Sequence, residues 1–362
     1  MAERLKDRFF TDESVRAFAK TIKKHHARFD EKKFYRLVFD DTFKDMELMQ
    51  MARHATECLA QLLPKSYKKA VQILVKAAHE VKGFESFCLP TYVELYGLDD
   101  WKSSLPALAV FTKYSSSEFS IRPYIKQDAA RAMAFMEELA SDHDEKVRRF
   151  ASEGCRPRLP WAVALPAFKK DPSPILPILE KLKDDDSEFV QKSVANNLND
   201  ISKDHPELVL DICERWQRTS KSADWIIKRG CRTMLKAGNK RAMLLFGFGN
   251  PKSLHIDKLK LSKKMVKIGE KLRFSFMLNV ETKKKCKVRL EYIVTFSKAG
   301  GKTSKKIFQL IEKSYAPGRY ELTRHHSFVD MSTRKHHPGE HRISIVINGV
   351  EKADAKIMLR AS

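Results

Sequence analysis

The spacing of apolar residues changes once along this chain, and the change divides what can fold. From Leu5 to about Leu245 apolar side chains recur three and four positions apart, and Pro or Gly falls mainly at segment ends, as at Pro64, Gly83, Pro90, Pro106, Pro123 and Gly238. That is the period of a series of amphipathic helices. After Phe246-Gly-Phe-Gly-Asn-Pro251 the period becomes two. Leu272, Phe274, Phe276, Leu278 and Val280 alternate with other residues, as do Val288, Leu290, Tyr292, Val294 and Phe296, and then Ile343, Ile345 and Ile347 before an Asn348-Gly349 turn signal. Seven or so short alternating segments predict an antiparallel sandwich of immunoglobulin-like type. It lacks the marks of an antibody domain, because Cys286 is its only cysteine and it has no tryptophan.

The helical part contains a copy of itself. Asp144-Glu-Lys-Val-Arg-Arg-Phe-Ala-Ser-Glu-Gly154 aligns with Ser187-Glu-Phe-Val-Gln-Lys-Ser-Val-Ala-Asn-Asn197 at an offset of 43 residues. A period in the forties with an acidic opening turn is the pattern of HEAT-like repeats, which stack into a curved solenoid with a long concave surface. The predicted fold class is therefore mainly α: a HEAT-like helical-repeat solenoid over 1–248, followed by a smaller all-β immunoglobulin-like sandwich over 249–362. A chain of 362 residues can bury such cores without metal or disulfide support.

Charge separates the same two parts. The formal net charge is +23, and residues 251–362 carry 26 Lys and Arg against 10 Asp and Glu. A segment with that surplus repels itself and is favoured beside a polyanion, so nucleic acid is the leading partner and an anionic membrane the second. No stretch of about 18 apolar residues exists to span a membrane, and the start of the chain does not read as a signal peptide; a soluble, cytoplasmic protein is expected. The six cysteines are scattered without Cys-x-x-Cys spacing, which predicts buried reduced thiols. Gly300-Gly-Lys-Thr303 reads as a turn, because Phe296 stands where a phosphate-binding loop needs its first glycine. His336-His-Pro-Gly-Glu-His341 reads as a hairpin turn rather than a zinc cluster, so no metal and no cofactor are expected. Trp101, Trp216 and Trp225 read as packing residues and Asn197 as a buried amide on an apolar stripe.

At 100° per residue, the segment from Asp144 puts Val147, Phe150, Ala151 and Gly154 on one stripe and Arg149, Glu153 and Arg156 on the opposite one. In its copy Val190 and Val194 point inward, and Lys192, Asn196 and Asn199 outward beside Asp200. A solvated face of intrahelical ion pairs explains this spacing by itself. The flanking segments add more. In Glu153-Gly-Cys-Arg-Pro-Arg-Leu-Pro-Trp161 two prolines stop the helix before an indole, and Ser115-Ser-Ser-Glu-Phe-Ser-Ile-Arg-Pro-Tyr124 sets a carboxylate, Glu118, into a turn beside an arginine and an aromatic.

Residues 117–124, 152–161 and 193–206 (Ser-Val-Ala-Asn-Asn-Leu-Asn-Asp-Ile-Ser-Lys-Asp-His-Pro) resemble the three signature stretches of the AlkC DNA glycosylases. These belong to the AlkD superfamily of HEAT-like repeat enzymes, and the resemblance covers the helical part from Leu5 onward. The C-terminal sandwich resembles the immunoglobulin-like extension of one AlkC branch. The resemblance implies a monofunctional hydrolase of base excision repair that cleaves the N-glycosidic bond of cationic 3-methyladenine and 3-methylcytosine, without base flipping. Such a base leaves as a neutral group, so the enzyme has to stabilise a cationic sugar and aim a water, tasks for ionised carboxylates. Glu118, Glu153 and Trp161 are then the expected catalytic residues, with Asp200 third. Arg122, Arg149, Arg156, Arg158 and Lys192 are expected on phosphates near the lesion, and Lys283, Lys284, Lys285 and Lys287 on the flanking duplex. The implied partner is double-stranded DNA carrying alkylated bases, met by a monomer associated with the bacterial nucleoid. A non-catalytic nucleic-acid scaffold and a helical adaptor for an acidic protein are the alternatives; carboxylates among the expected phosphate contacts argue against the first.

Overall fold

The computed structural model describes residues 8–331 and 335–361. The expected helical start at Leu5 lies outside the described residues, as do positions 332–334 ahead of the histidine-rich turn. The chain forms two compact units, Met1–Gly230 and Cys231–Ser362, the first helical and the second mainly a β-sandwich.

In the first unit, the first described helix, Asp12–His25, shows why these segments are helical. Thr11 accepts from the Ser14 backbone N–H, acidic residues fill the first turn and basic ones the last, and Val15, Phe18, Ala19 and Ile22 form the buried stripe. Each feature satisfies or complements the ends of the helix. The repeat proposed from sequence is realised at the same offset. Helix Glu145–Gly154 is capped by Asp144 and helix Glu188–Ile201 by Ser187, and the two pack on each other. Val147, Phe150, Ala151, Val190 and Val194 are all buried.

Polar links run through that packing. Ser152 and Ser193 share a hydroxyl hydrogen bond of 2.7 Å, and Asn197 Nδ2 donates to Ser152 O at 2.8 Å. Asn197 is thus a buried amide, although its Oδ1 has no hydrogen-bond partner among the described residues. Arg148 grips Asp185 with two donors, Nε at 2.6 Å and Nη2 at 3.0 Å, the planar fork that a carboxylate matches. Helix Lys221–Gly230 covers the other side of Glu188–Ile201. A Cβ at Gly230 would lie 3.1 Å from Leu198 Cβ, so only glycine permits this approach without a shift. Trp101 and Trp216 are buried, whereas Trp225 is partly exposed with Arg229 over its ring.

The second unit has eight described strands: β1 (Leu254–Leu261), β2 (Met265–Lys267), β3 (Lys271–Val280), β4 (Cys286–Ser297), β5 (Thr303–Tyr315), β6 (Gly318–Ser327), β7 (Gly339–Ile347) and β8 (Val350–Arg360). They form a three-stranded sheet in the order β1-β3-β6 and a five-stranded one in the order β2-β8-β7-β4-β5. Leu272, Phe274, Phe276 and Leu278 are buried with Val288, Leu290, Val294, Ile343, Ile345 and Ile347 in a common core. The pairing departs from all-antiparallel at one place, where short β2 runs parallel to β8. Asn348 (φ 47°) and Gly349 (φ 80°) join β7 to β8, the two left-handed positions a tight hairpin requires.

Helical periodicity outlasts the helical unit. Helices Arg232–Lys236 and Lys240–Leu245 belong to the second unit, before the change of period that suggested a border at 248. The cause is close packing. An added Cβ on Gly349 would lie 2.6 Å from Gly238 Cα, Lys287 Nζ donates to Phe246 O at 3.0 Å, and Asn348 Nδ2 donates to Gly249 O at 3.0 Å. Gly300 and Gly301, both with positive φ, make the turn into β5.

His341 is buried against Phe296 and Phe328. Its Nε2 donates to the His337 carbonyl at 2.9 Å, and its Nδ1 has no hydrogen-bond partner among the described residues. Burial pushes its pKa below 6.5, with His336 and His337 adding to the effect and the carbonyl bond opposing it. The stability it contributes is therefore complete above pH ~6.5 and is lost as pH falls through the lower folded value. Thermal unfolding between pH 8 and 5 will show a drop in Tm below pH 6.5 that is smaller in His341→Gln, which retains a donor and does not titrate.

Candidate active site

The three sequence stretches meet in the helical unit. The turn after helix Trp101–Phe111 carries Glu118, helix Glu145–Gly154 carries Arg149 and Glu153, the loop beyond it carries Arg156 and Trp161, and helix Glu188–Ile201 carries Asp200. Their charges form one alternating chain. Glu118 accepts from Ser116 through Oε2 and from Arg149 Nη1 through Oε1. Arg149 Nη2 lies 3.7 Å from Glu153 Oε1, which also accepts from Arg156 Nη1 at 2.6 Å. Arg156 Nε and Nη2 both reach Asp200 Oδ2 at 2.9 Å, and Lys203 Nζ holds Asp200 Oδ1 at 3.1 Å.

This arrangement corrects the expectation of a solvated outer face. Glu118 is 2 % exposed, Glu153 5 % and Asp200 2 %, and Arg156 and Asn199 are buried with them. The angular reading of a single helix cannot see the neighbouring segments that cover its flank. The charges tolerate burial because each has a counter-ion. Burial alone would lower the pKa of Arg156, but Glu153 and Asp200 more than offset that, and it is raised. One oxygen differs from the rest: Glu153 Oε2 accepts no hydrogen bond among the described residues.

Arg122 also departs from expectation, and the phosphate contact assigned to it is corrected. It is 1 % exposed. Nε donates to Val163 O at 2.6 Å, and Nη1 to Gly154 O at 2.9 Å and Arg156 O at 3.0 Å. It therefore ties together both ends of the loop between Gly154 and Val163. Burial pushes its pKa down to about 10, still charged at neutral pH; among the described residues it pairs with no carboxylate and Nη2 has no hydrogen-bond partner.

Trp161 is the residue that this staple presents. Its backbone is left-handed, φ 66°, an uncommon conformation for a bulky side chain, and the indole is 76 % exposed. It stands between two hollows of about 460 and 410 Å³, sharing Met49, Phe87 and Phe119 as common walls. Ser116, the hydroxyl partner of Glu118, lines the second hollow with Trp161, so the charge chain reaches the hollow that the indole walls through that hydroxyl.

The remaining expected contacts differ in availability. Arg156 is spent on Glu153 and Asp200, so the phosphate role expected of it is also corrected. Arg149 is partly exposed. Arg158 pairs with Asp204 through both Nη atoms, and this pairing raises its pKa while lowering that of Asp204. Lys192 is exposed and pairs with Glu188 at 2.9 Å. In the second unit Lys283, Lys284 and Lys285 are exposed in the β3–β4 turn. Lys287 is half-buried, with its ammonium on the Phe246 carbonyl and 5.0 Å from the centre of the Phe248 ring, so its assignment to the flanking duplex is corrected to an internal anchor.

Sequence reasoning passed over Ser116, Lys203 and Phe189. Ser116 was within reach, because it sits in the Ser-Ser-Ser-Glu run. Phe189 had one signal: it is apolar where the preceding copy has Lys146. Among the described residues no group of three or more His, Cys, Asp or Glu could hold a metal ion, and no helix is long and apolar enough to cross a membrane.

Both parts of the chain are similar to known proteins. The family described as DNA alkylation repair enzyme matches residues 114–234, the span that holds the charge chain and Trp161. A family described as the C-terminal Ig-like domain of uncharacterised protein YhaZ matches residues 255–361. Alkylpurine DNA glycosylase AlkC of Pseudomonas fluorescens, solved bound to DNA containing an abasic-site analogue, shares the fold at a TM-score of 0.94 and 35 % identity, over 98 % of this chain and 99 % of that one. The chain belongs to the DNA alkylation repair enzyme family. Uncharacterized protein YhaZ of Bacillus subtilis (strain 168) is 43 % identical over 334 residues, covering 91 % of this chain and 93 % of its own length. The fold is thus a HEAT-like helical repeat followed by an immunoglobulin-like sandwich, as the sequence predicted.

The staple is open to test. Arg122→Lys keeps the charge but cannot span three carbonyls, and each lost charged hydrogen bond is worth about 1.5–3 kcal/mol. Urea unfolding is expected to show a loss of about 2–3 kcal/mol, whereas a surface phosphate ligand would leave stability unchanged.

Proposed function

We propose that this chain is a monofunctional DNA glycosylase that hydrolyses the N-glycosidic bond of cationic alkylated bases, 3-methyladenine and 3-methylcytosine, in double-stranded DNA. The observation that carries the reading is the chain Glu118–Arg149–Glu153–Arg156–Asp200, whose Ser116 end shares a hollow with an exposed indole. A protein that only adheres to phosphates has no use for three carboxylates and a held-out tryptophan at one spot. A reaction that builds positive charge on a deoxyribose does.

The roles divide by which oxygens are occupied. Glu118 and Asp200 have both carboxylate oxygens engaged, so they hold Arg149 and Arg156 and contribute field. Glu153 alone has an oxygen to spare, so it is the group that takes a proton from a water aimed at C1′. Fixed dipoles and charges of this kind act where charge develops and need no reorganisation. Trp161 lies against the lesion nucleoside, its ring face attracting the cationic sugar by about 0.5–2 kcal/mol. The alkylated base departs neutral and needs no strong general acid. The nucleotide is reached without base flipping, by a monomer acting on nucleoid DNA. Lys283, Lys284 and Lys285 contact the flanking duplex, and Arg149, Arg158 and Lys192 are the cations left for phosphates near the lesion.

Release of free base from methylated duplex DNA tests this. Glu153→Gln should lower the single-turnover rate by about 100-fold or more, which is ~2.7 kcal/mol, with DNA affinity little changed. Glu118→Gln should lower both rate and stability, since it leaves Arg149 short of a buried partner. A wild-type protein that binds duplex but frees no methylated base is a scaffold, and the reading fails. Replacing Lys283, Lys284 and Lys285 together with Ala should make the slope of log K against log salt shallower by up to about three units; an unchanged slope removes that turn from the DNA contacts.

A further inference from the structure

Phe189 lies in the first turn of helix Glu188–Ile201 and is 43 % exposed, so core packing does not account for it. The guanidinium carbon of Arg149 lies 4.4 Å from the centre of its ring, well inside the range of a cation–π contact. Arg149 is the link between Glu118 and Glu153, and its two links differ. The contact to Glu118 is a direct hydrogen bond, while the one to Glu153, at 3.7 Å, is too long to fix orientation by itself. What restrains the plane of the guanidinium on that side is the phenyl face beneath it.

We propose that Phe189 is a positioning residue, stacked under Arg149 so that one guanidinium stays aligned with both Glu118 and Glu153. A planar delocalised cation suits such a seat and an ammonium does not. The consequence for reactivity rests on the glycosylase reading above: Arg156 holds Glu153 Oε1 at 2.6 Å, and an aligned Arg149 keeps a second positive charge beside that oxygen, leaving Oε2 as the one that acts.

Phe189 is at the surface, so its variants should fold. Phe189→Leu should lower the single-turnover rate of methylated-base release about three- to tenfold with KM within about twofold, and Phe189→Tyr and Phe189→Trp should restore it. In an Arg149→Lys background Phe189→Leu should have no further effect, because coupled residues are not additive. A readout independent of activity is the Arg149 Nε–H resonance, assigned by its absence in Arg149→Lys. The ring should shift it in the wild type, and Phe189→Leu should return it toward the unshifted position. An unmoved resonance, equal rates for the Leu and Tyr variants, or additive losses with Arg149→Lys overturns the proposal. A loss confined to KM with a changed salt slope also overturns it, by making Phe189 a direct DNA contact. A shifted resonance in a wild type that releases no base supports the positioning contact and sinks only the glycosylase reading.

Discussion

The helical unit depends on buried charge held in strict alternation. Glu118, Arg149, Glu153, Arg156, Asp200 and Lys203 come from two turns, a loop and two stacked helices; Glu118, Glu153, Arg156 and Asp200 are buried, Arg149 is partly exposed and Lys203 caps the chain from solvent. A buried carboxylate without a partner would neutralise itself or unfold its surroundings. Here the repeat architecture supplies arginines from one layer to carboxylates of the next. The same interactions that bind one helix to its neighbour therefore gather three carboxylates in one place, each against a cation. Stability and site chemistry are not separable in this part of the molecule.

The loop after Glu153 follows from that arrangement. Pro157 and Pro160 prevent the helix from continuing, and the chain turns through a left-handed residue at Trp161. Conformations of that kind cost about 1 kcal/mol or more and persist where surroundings over-determine them. Arg122 is what over-determines this one, with three carbonyls gathered on one guanidinium. An arginine that composition would assign to DNA is instead the reason an indole can stand out of the surface.

In the sandwich the surplus of basic residues has more than one job. Lys287 and Lys352 are turned onto backbone carbonyls at 3.0 and 2.8 Å, and Arg289 is buried between Glu291 and Glu312. Lys283, Lys284 and Lys285, in the adjoining turn, are left in solvent. Lys284 and Lys287 are three positions apart and have opposite fates, so a count of charges overstates the binding surface. The strands themselves were legible because alternation is local: Leu272 to Leu278 and Ile343 to Ile347 point where their period says. The hairpin at Asn348-Gly349 was legible for the same reason, since few residue pairs adopt two left-handed conformations in succession.

What the sequence by itself determined was the class of each segment, the 43-residue repeat, and which short stretches carry unusual chemistry. Period, capping and turn residues act over a few positions, and the Glu118 and Glu153–Trp161 segments stand out by composition alone. Only the tertiary structure decided which charged groups are free to act. Arg122, Arg149 and Arg156 look alike in the chain. Each takes a partner from 31 to 44 residues away, and a guanidinium becomes a loop staple, a bridge or an available cation according to which carbonyls and carboxylates the fold brings within about 3 Å of it.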